Sequence, residues 1–329
     1  MNNLSPILIT GAGGEVGSVS GDIARRLLAK GYPVRAFVRT DDERADALRA
    51  VGAEVFVGDL LKLADVAQAL RGCRRVFFTM SLSPYYLDAN LVMVAAARAA
   101  NNIEVLVNIS DIEQSYMTYE HMAAPREHRL KWLGGLVDDY SPQQRAHWLA
   151  EQAVNWSGLP AVQIRATFFI ENPLLTWFPV KRVVEKGELL LPFAGSSFNP
   201  IAATDVAEAC AHILIAPEEH IGQSYALTGP ELKNMDEVAA DFSAVLGKEI
   251  RYVAQSLESS DQSIDSILTA RNAHAGEHLK ALTRLIAGGR YEEVTDTLTM
   301  LIGRTPTTLR QALAKNVRLQ QARVTSNAG

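Results

Sequence analysis

The stretch that decides the fold is residues 7–17, ILITGAGGEVG. An apolar run leads into Gly11, Gly14 and Gly17, and a helical pattern with an apolar stripe follows from Val19. In a strand, turn and helix of this kind, Gly11 permits the tight turn, Gly14 lets a pyrophosphate approach the backbone, and Gly17 lets the helix pack closely. Free backbone N–H groups and the helix dipole then hold the anion. The predicted phosphate-binding turn consists of Gly11, Gly13, Gly14, Glu15, Val16 and Gly17.

Apolar runs continue to alternate with helical patterns through the first half of the chain. Near-continuous apolar strands separated by helices indicate a parallel sheet that is covered on both faces. We therefore predict an α/β fold: a Rossmann-type doubly wound parallel sheet, followed by a smaller, mostly helical C-terminal substrate lobe. Further buried strands are predicted at Val34–Arg39, Glu54–Val57, Val76–Thr79, Val105–Ile109 and Ala161–Arg165.

The predicted domain boundary lies where strand six runs out. A dinucleotide-binding domain is expected over residues 1–167 and a substrate lobe over 168–322, with some elements interleaved, and 323–329 reads as a tail. Residues 114–140 fit no regular pattern. We expect this segment to act as a lid or pocket wall that sets specificity.

Composition excludes several classes of protein. The 329 residues are 48% hydrophobic with a net charge of -5, which is typical of a globular chain without a basic field for nucleic acid. No apolar run reaches the length of a membrane span, and the start lacks a leader pattern, so we expect a cytoplasmic protein. Cys73 and Cys210 have no metal spacing, and His121 and His128 lack further ligands nearby, so no metal is predicted. A monomer and a homodimer are equally consistent with the composition.

The end of the second strand bears on the choice of nucleotide. Arg39 stands there, and a guanidinium suits a 2′-phosphate because it can pair with it bidentately. NADP(H) is therefore favoured over NAD(H). Asp41 and Asp42 follow closely, and either carboxylate could instead bond the ribose 2′-hydroxyl of NAD.

Other strand ends supply further candidates for the cofactor site. An aspartate after strand three can bond the adenine amino group while the next leucine packs on the ring. The end of strand four forms the lip of the cofactor crevice. These candidates are Asp59, Leu60, Thr79, Met80 and, at the end of strand five, Ser110.

Several segments together resemble one family. They are ITGAGGEVG, VRAFVR, GDL, the NIS at residues 108–110 and AHWLAEQAVNWSGLPAVQIRATFFIEN, and the likeness extends over nearly the whole chain. The chain resembles the NmrA-like group of atypical, extended short-chain dehydrogenases. That group contains both reductases and catalytically silent redox sensors, so the resemblance implies the fold more strongly than an activity. The spacing from Gly17 to Gly31 is about three residues longer than the family usually shows, and we expect the extra residues in SVSG at 18–21, where they could alter the phosphate turn.

The catalytic pair of typical short-chain dehydrogenases is missing. Alignment on Glu151 puts His147 at the position of the lysine and Gln143 at that of the tyrosine. His147 is a candidate for holding the ribose or donating a proton, and Tyr119 is a candidate donor from the preceding segment. Hydride transfer to an electron-poor acceptor needs little acid from the protein, so a reductase remains compatible with this loss.

Aromatic side chains that could line a substrate pocket follow strand six and occur in the irregular segment. Such walls suit a flat apolar ligand. We predict an NADP(H)-dependent reductase of a small aromatic, quinone-like or conjugated molecule. The alternative is a redox sensor that binds the dinucleotide without catalysis. The substrate candidates are Tyr116, Tyr119, Phe168, Phe169 and Trp177.

Overall fold

The structure is a computed structural model that describes residues 4–14, 19–268 and 272–327 of the chain. It divides into two compact units that are interleaved along the sequence. The first unit takes residues 1–115, 143–166 and 204–226, and the second takes 116–142, 167–203 and 227–329.

This division differs in detail from a single boundary after residue 167. The segment 116–142 groups with the second unit, and 204–226 returns to the first. The return has a local cause, since Arg26 of the first helix donates to Glu208 at 3.2 Å and to the Thr204 hydroxyl at 3.0 Å.

The strands confirm the predicted Rossmann-type sheet. Seven of them form one sheet in the order β3-β2-β1-β4-β5-β6-β9. The strand pairs from β3 through β6 are parallel. Their register places Leu8 of β1 between Arg35 of β2 and Val76 of β4. The strands are β1 Ile7–Ile9, β2 Val34–Val38, β3 Glu54–Val57, β4 Arg75–Phe78, β5 Val105–Asp111, β6 Ala161–Ala166, β7 Glu188–Leu191, β8 Ser197–Phe198, β9 Ser224–Leu227, β10 Lys233–Asn234 and β11 Arg251–Ala254.

Helices connect the strands and also form most of the second unit. None of them, within the described part of the chain, is both long and apolar enough to cross a membrane. They are α1 Val19–Ala29, α2 Glu43–Ala50, α3 Leu63–Leu70, α4 Tyr86–Ala100, α5 Tyr119–Ala123, α6 Arg126–Trp132, α7 Pro142–Trp156, α8 Pro173–Thr176, α9 Val180–Lys186, α10 Ala203–Ile215, α11 Met235–Leu246, α12 Leu257–Ile267, α13 Ala273–Ala287, α14 Thr297–Ile302, α15 Leu309–Lys315 and α16 Val317–Asn327.

The core of the first unit lies between the sheet and its helices. Leu8, Val76 and Leu106 of three strands pack with Met93 of α4 in one buried cluster. Cys73 belongs to the same cluster, and burial raises the pKa of its thiol to about 11. Because a thiol with so high a pKa carries almost no thiolate near neutrality, Cys73 is a packing residue.

Residues 114–140, which fit no regular sequence pattern, contain short helices and do not form one open loop. A 3₁₀ turn at Ile112–Ser115 precedes α5 and α6. The Thr118 side chain caps α5 by accepting from the backbone N–H of His121. Neither helix buries a residue fully, which explains why an apolar period is absent from the sequence there.

A buried histidine in the second unit links stability to pH. His278 is 7% exposed, its Nδ1 lies 3.0 Å from the Ser141 hydroxyl oxygen, and burial, with a smaller effect of His274, lowers its pKa to about 4. The unfolded chain binds this proton near the ordinary pKa of 6.5. Stability is therefore complete above that pH and is lost as the pH falls toward 4. We expect a loss of about 1.4 kcal/mol per pH unit and about 3 kcal/mol in all.

Urea unfolding at several pH values between 4.5 and 7.5 tests this expectation. His278→Gln, whose amide can still meet the Ser141 hydroxyl, should remove this part of the slope. His128→Gln at an exposed position is the matched control and should retain it. An unchanged slope in His278→Gln would assign the acid sensitivity to another group.

Candidate functional site

The carboxyl ends of the parallel strands bring the predicted cofactor residues to one edge of the sheet. β1 lies between β2 and β4, so the chain leaves β1 to one side and returns on the other. In a doubly wound sheet this switch point leaves a crevice at the carboxyl ends of the strands, and ligands bind there. The described part of the glycine turn begins in this crevice.

Gly11 is held where no other residue fits. Its φ is +68°, and a Cβ placed on it would lie 2.7 Å from the Thr79 methyl group and 3.2 Å from the Thr79 carbonyl oxygen. A side chain would therefore meet both backbone strain and a collision with the end of β4. The turn can follow β1 this closely only because position 11 is glycine.

Thr10 ties the ends of β1 and β4 together. Its hydroxyl donates to the Thr79 carbonyl at 2.7 Å and accepts from the Thr79 N–H at 2.9 Å. The Thr10 N–H donates to the Phe77 carbonyl at 3.1 Å. These bonds hold the floor of the crevice rigid on the side of β4.

Past Gly11 the turn opens. The Gly14 N–H donates to the Gly11 carbonyl at 3.0 Å, and the heavy atom nearest to a Cβ built on Gly13 is 3.9 Å away in Val38. Glu15, Val16 and Gly17 lie outside the described residues. The additional residues expected at 18–21 fall largely in α1, whose first turn contains Val19, Ser20 and Gly21; residue 18 is again outside the described part.

Three charged residues, Arg39, Asp41 and Asp42, follow the end of β2. Arg39 is exposed and, within the described part of the chain, forms no ion pair or side-chain hydrogen bond. Asp41 is paired with Arg49 at 2.6 Å. Asp42 caps α2 and is bonded to Arg44, whose guanidinium lowers the pKa of the Asp42 carboxyl. Both carboxylates that could bond a ribose hydroxyl are therefore engaged with arginines.

Arg44 is a candidate that sequence reasoning missed. Its Nη1 donates to the Gly13 carbonyl at 3.0 Å, so the side chain reaches from the first turn of α2 to the glycine turn. A basic residue in the first turn after the second strand was the available signal. The signal is weak, because most arginines in such a position face solvent.

The residues after β3 form a turn beside the crevice. The Asp59 Oδ1 accepts from the Leu61 N–H at 3.0 Å, and the Asp59 N–H donates to Asp65 at 2.9 Å. Leu60 and Met80 are partly buried and pack against the core cluster of this unit. Each of the two therefore has apolar surface left that could contact a flat ring.

Ser110 belongs to a buried charged network. Its hydroxyl donates to Glu151 at 2.5 Å, and Glu151, 1% exposed, is bonded to Nη2 of Arg165 at 2.6 Å and to Nε at 3.2 Å. The network joins β5, α7 and β6. The Ser110 hydroxyl therefore already donates its hydrogen bond to a carboxylate of the protein itself.

Gln143 and His147 are bonded one helical turn apart on α7. The Gln143 Oε1 accepts from the Ser83 N–H at 3.2 Å, so its amide nitrogen must face His147, where the Nε2–Nε2 distance is 2.8 Å. His147 Nε2 is therefore an acceptor and carries no proton in this arrangement. The imidazole also packs edge-on against buried Tyr86 at 4.4 Å between ring centroids.

The predicted substrate aromatics have different surroundings, all within the second unit. Tyr119 is 73% exposed, and the Tyr116 phenol donates to Glu293. Phe168 is buried and packs edge-on against Phe198, which is the role of a core residue.

Two further aromatics follow β6 in the chain. Phe169 is partly exposed and pairs through its backbone with Ile201. Trp177 is partly exposed, and the Arg318 guanidinium lies 3.8 Å above its ring centroid. A flat ligand would have to displace Arg318 to use that face of the indole.

The donor set fits a dinucleotide. Gly11 keeps the turn against β4, Gly13 leaves the space beside the backbone open, and Arg39 and Arg44 supply positive charge after β2. Among the described residues, no group of three or more His, Cys, Asp or Glu side chains is placed to hold a metal ion. A doubly wound parallel sheet with a glycine turn at its switch point defines a dinucleotide-binding protein of the Rossmann class.

Comparison with known proteins identifies the family. Residues 11–217 match the family described as NAD(P)H-binding, and the chain belongs to that family. Over 260 residues it is 30% identical to the NAD(P)H azoreductase of Xenophilus azovorans, across 78% of this chain and 80% of that relative.

Solved structures share the fold. The NADPH-dependent quinone oxidoreductase of Escherichia coli, in complex with NADPH, superposes with a TM-score of 0.75 at 21% identity, over 94% of this chain and 98% of that one. NmrA, a negative transcriptional regulator, in complex with NADP, gives 0.74 at 19% identity, over 98% of both chains. The predicted resemblance to the NmrA-like group is confirmed. NmrA was also solved with NAD, so the fold by itself does not select the nucleotide.

Proposed function

We propose that this protein is an NADP(H)-dependent reductase of a small, flat, conjugated acceptor such as a quinone or an azo compound. The name of the azoreductase relative supports this class of acceptor. The Gln143–His147 bond carries the proposal, because these two residues align with the tyrosine and lysine of typical short-chain dehydrogenases. Acceptors that suit such a site need a hydride from the cofactor and can take their proton from water.

The preference for NADP(H) rests on the charges at the end of β2. Among the described residues Arg39 has no ion-pair partner, so its guanidinium is available to a 2′-phosphate, and Arg44 lies beside the glycine turn. Asp41 and Asp42 are held by Arg49 and Arg44. A ribose 2′-hydroxyl would find these carboxylates already bonded. A 2′-phosphate would meet Arg39, which forms no ion pair within the described residues, and Arg44, which is already bonded to Asp42 and Gly13.

The residues of the first unit have separable roles in this proposal. The backbone from Gly11 to Gly14 would hold the pyrophosphate, and Leu60 would offer an apolar surface to the adenine ring. A bound nicotinamide supplies the hydride. His147 takes no part in proton transfer, since its Nε2 accepts from Gln143 and has no proton to give. Ser110 maintains the end of β5 through Glu151.

The proposal is tested with a panel of acceptors, whose reduction is measured as the loss of NADPH absorbance. Menadione and methyl red should be reduced about 100-fold or more faster than a simple aldehyde, since a positioned general acid, which contributes about 10²–10⁴-fold, is required only by the aldehyde. In the same assay His147→Gln should retain kcat for menadione within about threefold, as expected for a residue outside proton transfer. Equal rates for aldehyde and menadione, or loss of turnover in His147→Gln, would contradict this mechanism.

The second candidate is a redox sensor, which the missing Tyr–Lys pair and the fold shared with NmrA support. Such a protein would bind NADPH without oxidising it in the presence of any acceptor. It would also have to bind NADPH and NADP with different affinities, because a ligand shifts a conformational equilibrium only by differential binding. Calorimetric titration with both nucleotides separates the two functions.

A further inference from the structure

The second unit contains a groove that no part of the proposed reaction uses. It is lined by His128, Lys131, Trp132 and Arg290, and its volume is about 380 Å³; we call it the Trp132 groove. The first three residues are spaced i, i+3 and i+4 on α6, so their side chains share one face of that helix. Arg290 comes from the chain just after α13.

Aromatic faces hold the guanidinium that closes the groove. The Arg290 guanidinium carbon lies 5.0 Å from the ring centroid of Trp132 and 4.6 Å from that of Tyr116. His121 stacks on Trp132 with 4.0 Å between centroids and 20° between planes. These contacts order Arg290 and Trp132 before any ligand arrives, which lowers the entropy cost of binding.

The charges in the groove are of one sign. Its lining offers an ammonium, a guanidinium and an imidazole but no carboxylate, although the chain has a net charge of -5. Within the described part of the chain, the Lys131 ammonium has no carboxylate partner. Glu293, an acid near this cluster, accepts from the Tyr116 phenol. A cationic concave surface on an acidic protein attracts small anions.

We propose that the Trp132 groove binds a small aromatic molecule that bears a carboxylate or a sulfonate. Because His121 and Arg290 lie over the Trp132 ring, the indole meets a flat ligand ring with its edge, an arrangement that aromatic pairs favour, and Lys131 with Arg290 provides donors for the acid group. The volume lies within the range of about 300–1,000 Å³ of small-molecule sites. This site concerns binding alone and holds whether or not the chain is a reductase.

Calorimetric titration with naphthalene-2-sulfonate tests the proposal, and the uncharged, nearly isosteric naphthalene-2-sulfonamide is the matched ligand. The titrations are made on the full chain with saturating NADPH, so that anion binding in the first unit is suppressed. We expect the sulfonate to bind at least about tenfold more tightly than the sulfonamide, as one charge-assisted contact implies. Methanesulfonate, which lacks the ring, should bind too weakly to detect.

Variants locate the site. Lys131→Met should weaken sulfonate binding by about tenfold, and Trp132→Leu should weaken both naphthalene ligands. The matched controls are Lys181→Met, an exposed lysine on the equally short α9, and Trp156→Leu, a tryptophan 78% exposed in the first unit. Both controls should leave binding unchanged. Equal affinity for sulfonate and sulfonamide, no effect of Lys131→Met and Trp132→Leu, or no binding of the sulfonate would each overturn the proposal.

Discussion

Replacing Arg39 and Arg44 together with alanine is expected to weaken NADPH binding by about 100-fold or more, because two charge-assisted contacts of about 1.5–3 kcal/mol each are lost. Binding of NADH, which has no 2′-phosphate, should change by no more than about threefold. Calorimetric titration with both nucleotides measures the difference. Arg39→Ala alone should account for the larger part, since Arg44 also remains bonded to Asp42 and to the Gly13 carbonyl.

The control for this prediction is Arg98→Ala, an exposed arginine on α4, which should bind both nucleotides as the wild type does. A parallel loss of NADPH and NADH affinity in the double variant would mean that the arginines support the turn and do not read the phosphate. In that case the loss of affinity would be assigned first to Arg44, because its side chain is bonded to the Gly13 carbonyl of the turn.

Arg165→Met should destabilise the protein by about 3–5 kcal/mol, the usual cost of removing one partner from a buried ion pair. Glu151 is 1% exposed and receives its bonds from Arg165 and Ser110. Without the guanidinium, its carboxylate is buried beside a single hydroxyl donor. The free energy of unfolding in urea, with the slope of the transition checked for a change in cooperativity, measures the loss.

The Arg182–Glu188 ion pair elsewhere in the chain is the matched control for the loss of an arginine–glutamate pair. Arg182 donates through Nε and Nη2 to Glu188, as Arg165 does to Glu151, but its side chain is about twice as exposed. Arg182→Met should therefore cost no more than about 1 kcal/mol. In the double variant Glu151→Leu and Arg165→Met, most of the lost stability should return, because no buried charge is left. If Arg165→Met were as mild as Arg182→Met, the buried network would not contribute to stability.

Local patterns were sufficient for the framework of the first unit. The run from Ile7 into Gly11 and the alternation that follows predicted the parallel sheet, and the structure confirms it. The reason is that strands buried on both faces need continuous apolar runs, and a turn with positive φ needs glycine. Both requirements are met within a few residues of sequence. The segment 114–140 gave no such signal, since α5 and α6 bury no residue fully.

The partners of the polar side chains were decided only by the tertiary structure. The sequence by itself placed Arg39 directly after the second strand and determined that the chain is of the Rossmann class. That His147 and Gln143 take the positions of the usual pair remains a prediction. Tertiary contacts decided that Arg49 engages Asp41, that Arg44 reaches Gly13, and that the Ser83 N–H orients the Gln143 amide toward His147. They also buried Phe168 and placed Arg318 over Trp177. A long side chain chooses among neighbours that are distant in sequence, so its partner follows from the packing of whole elements and from no local pattern.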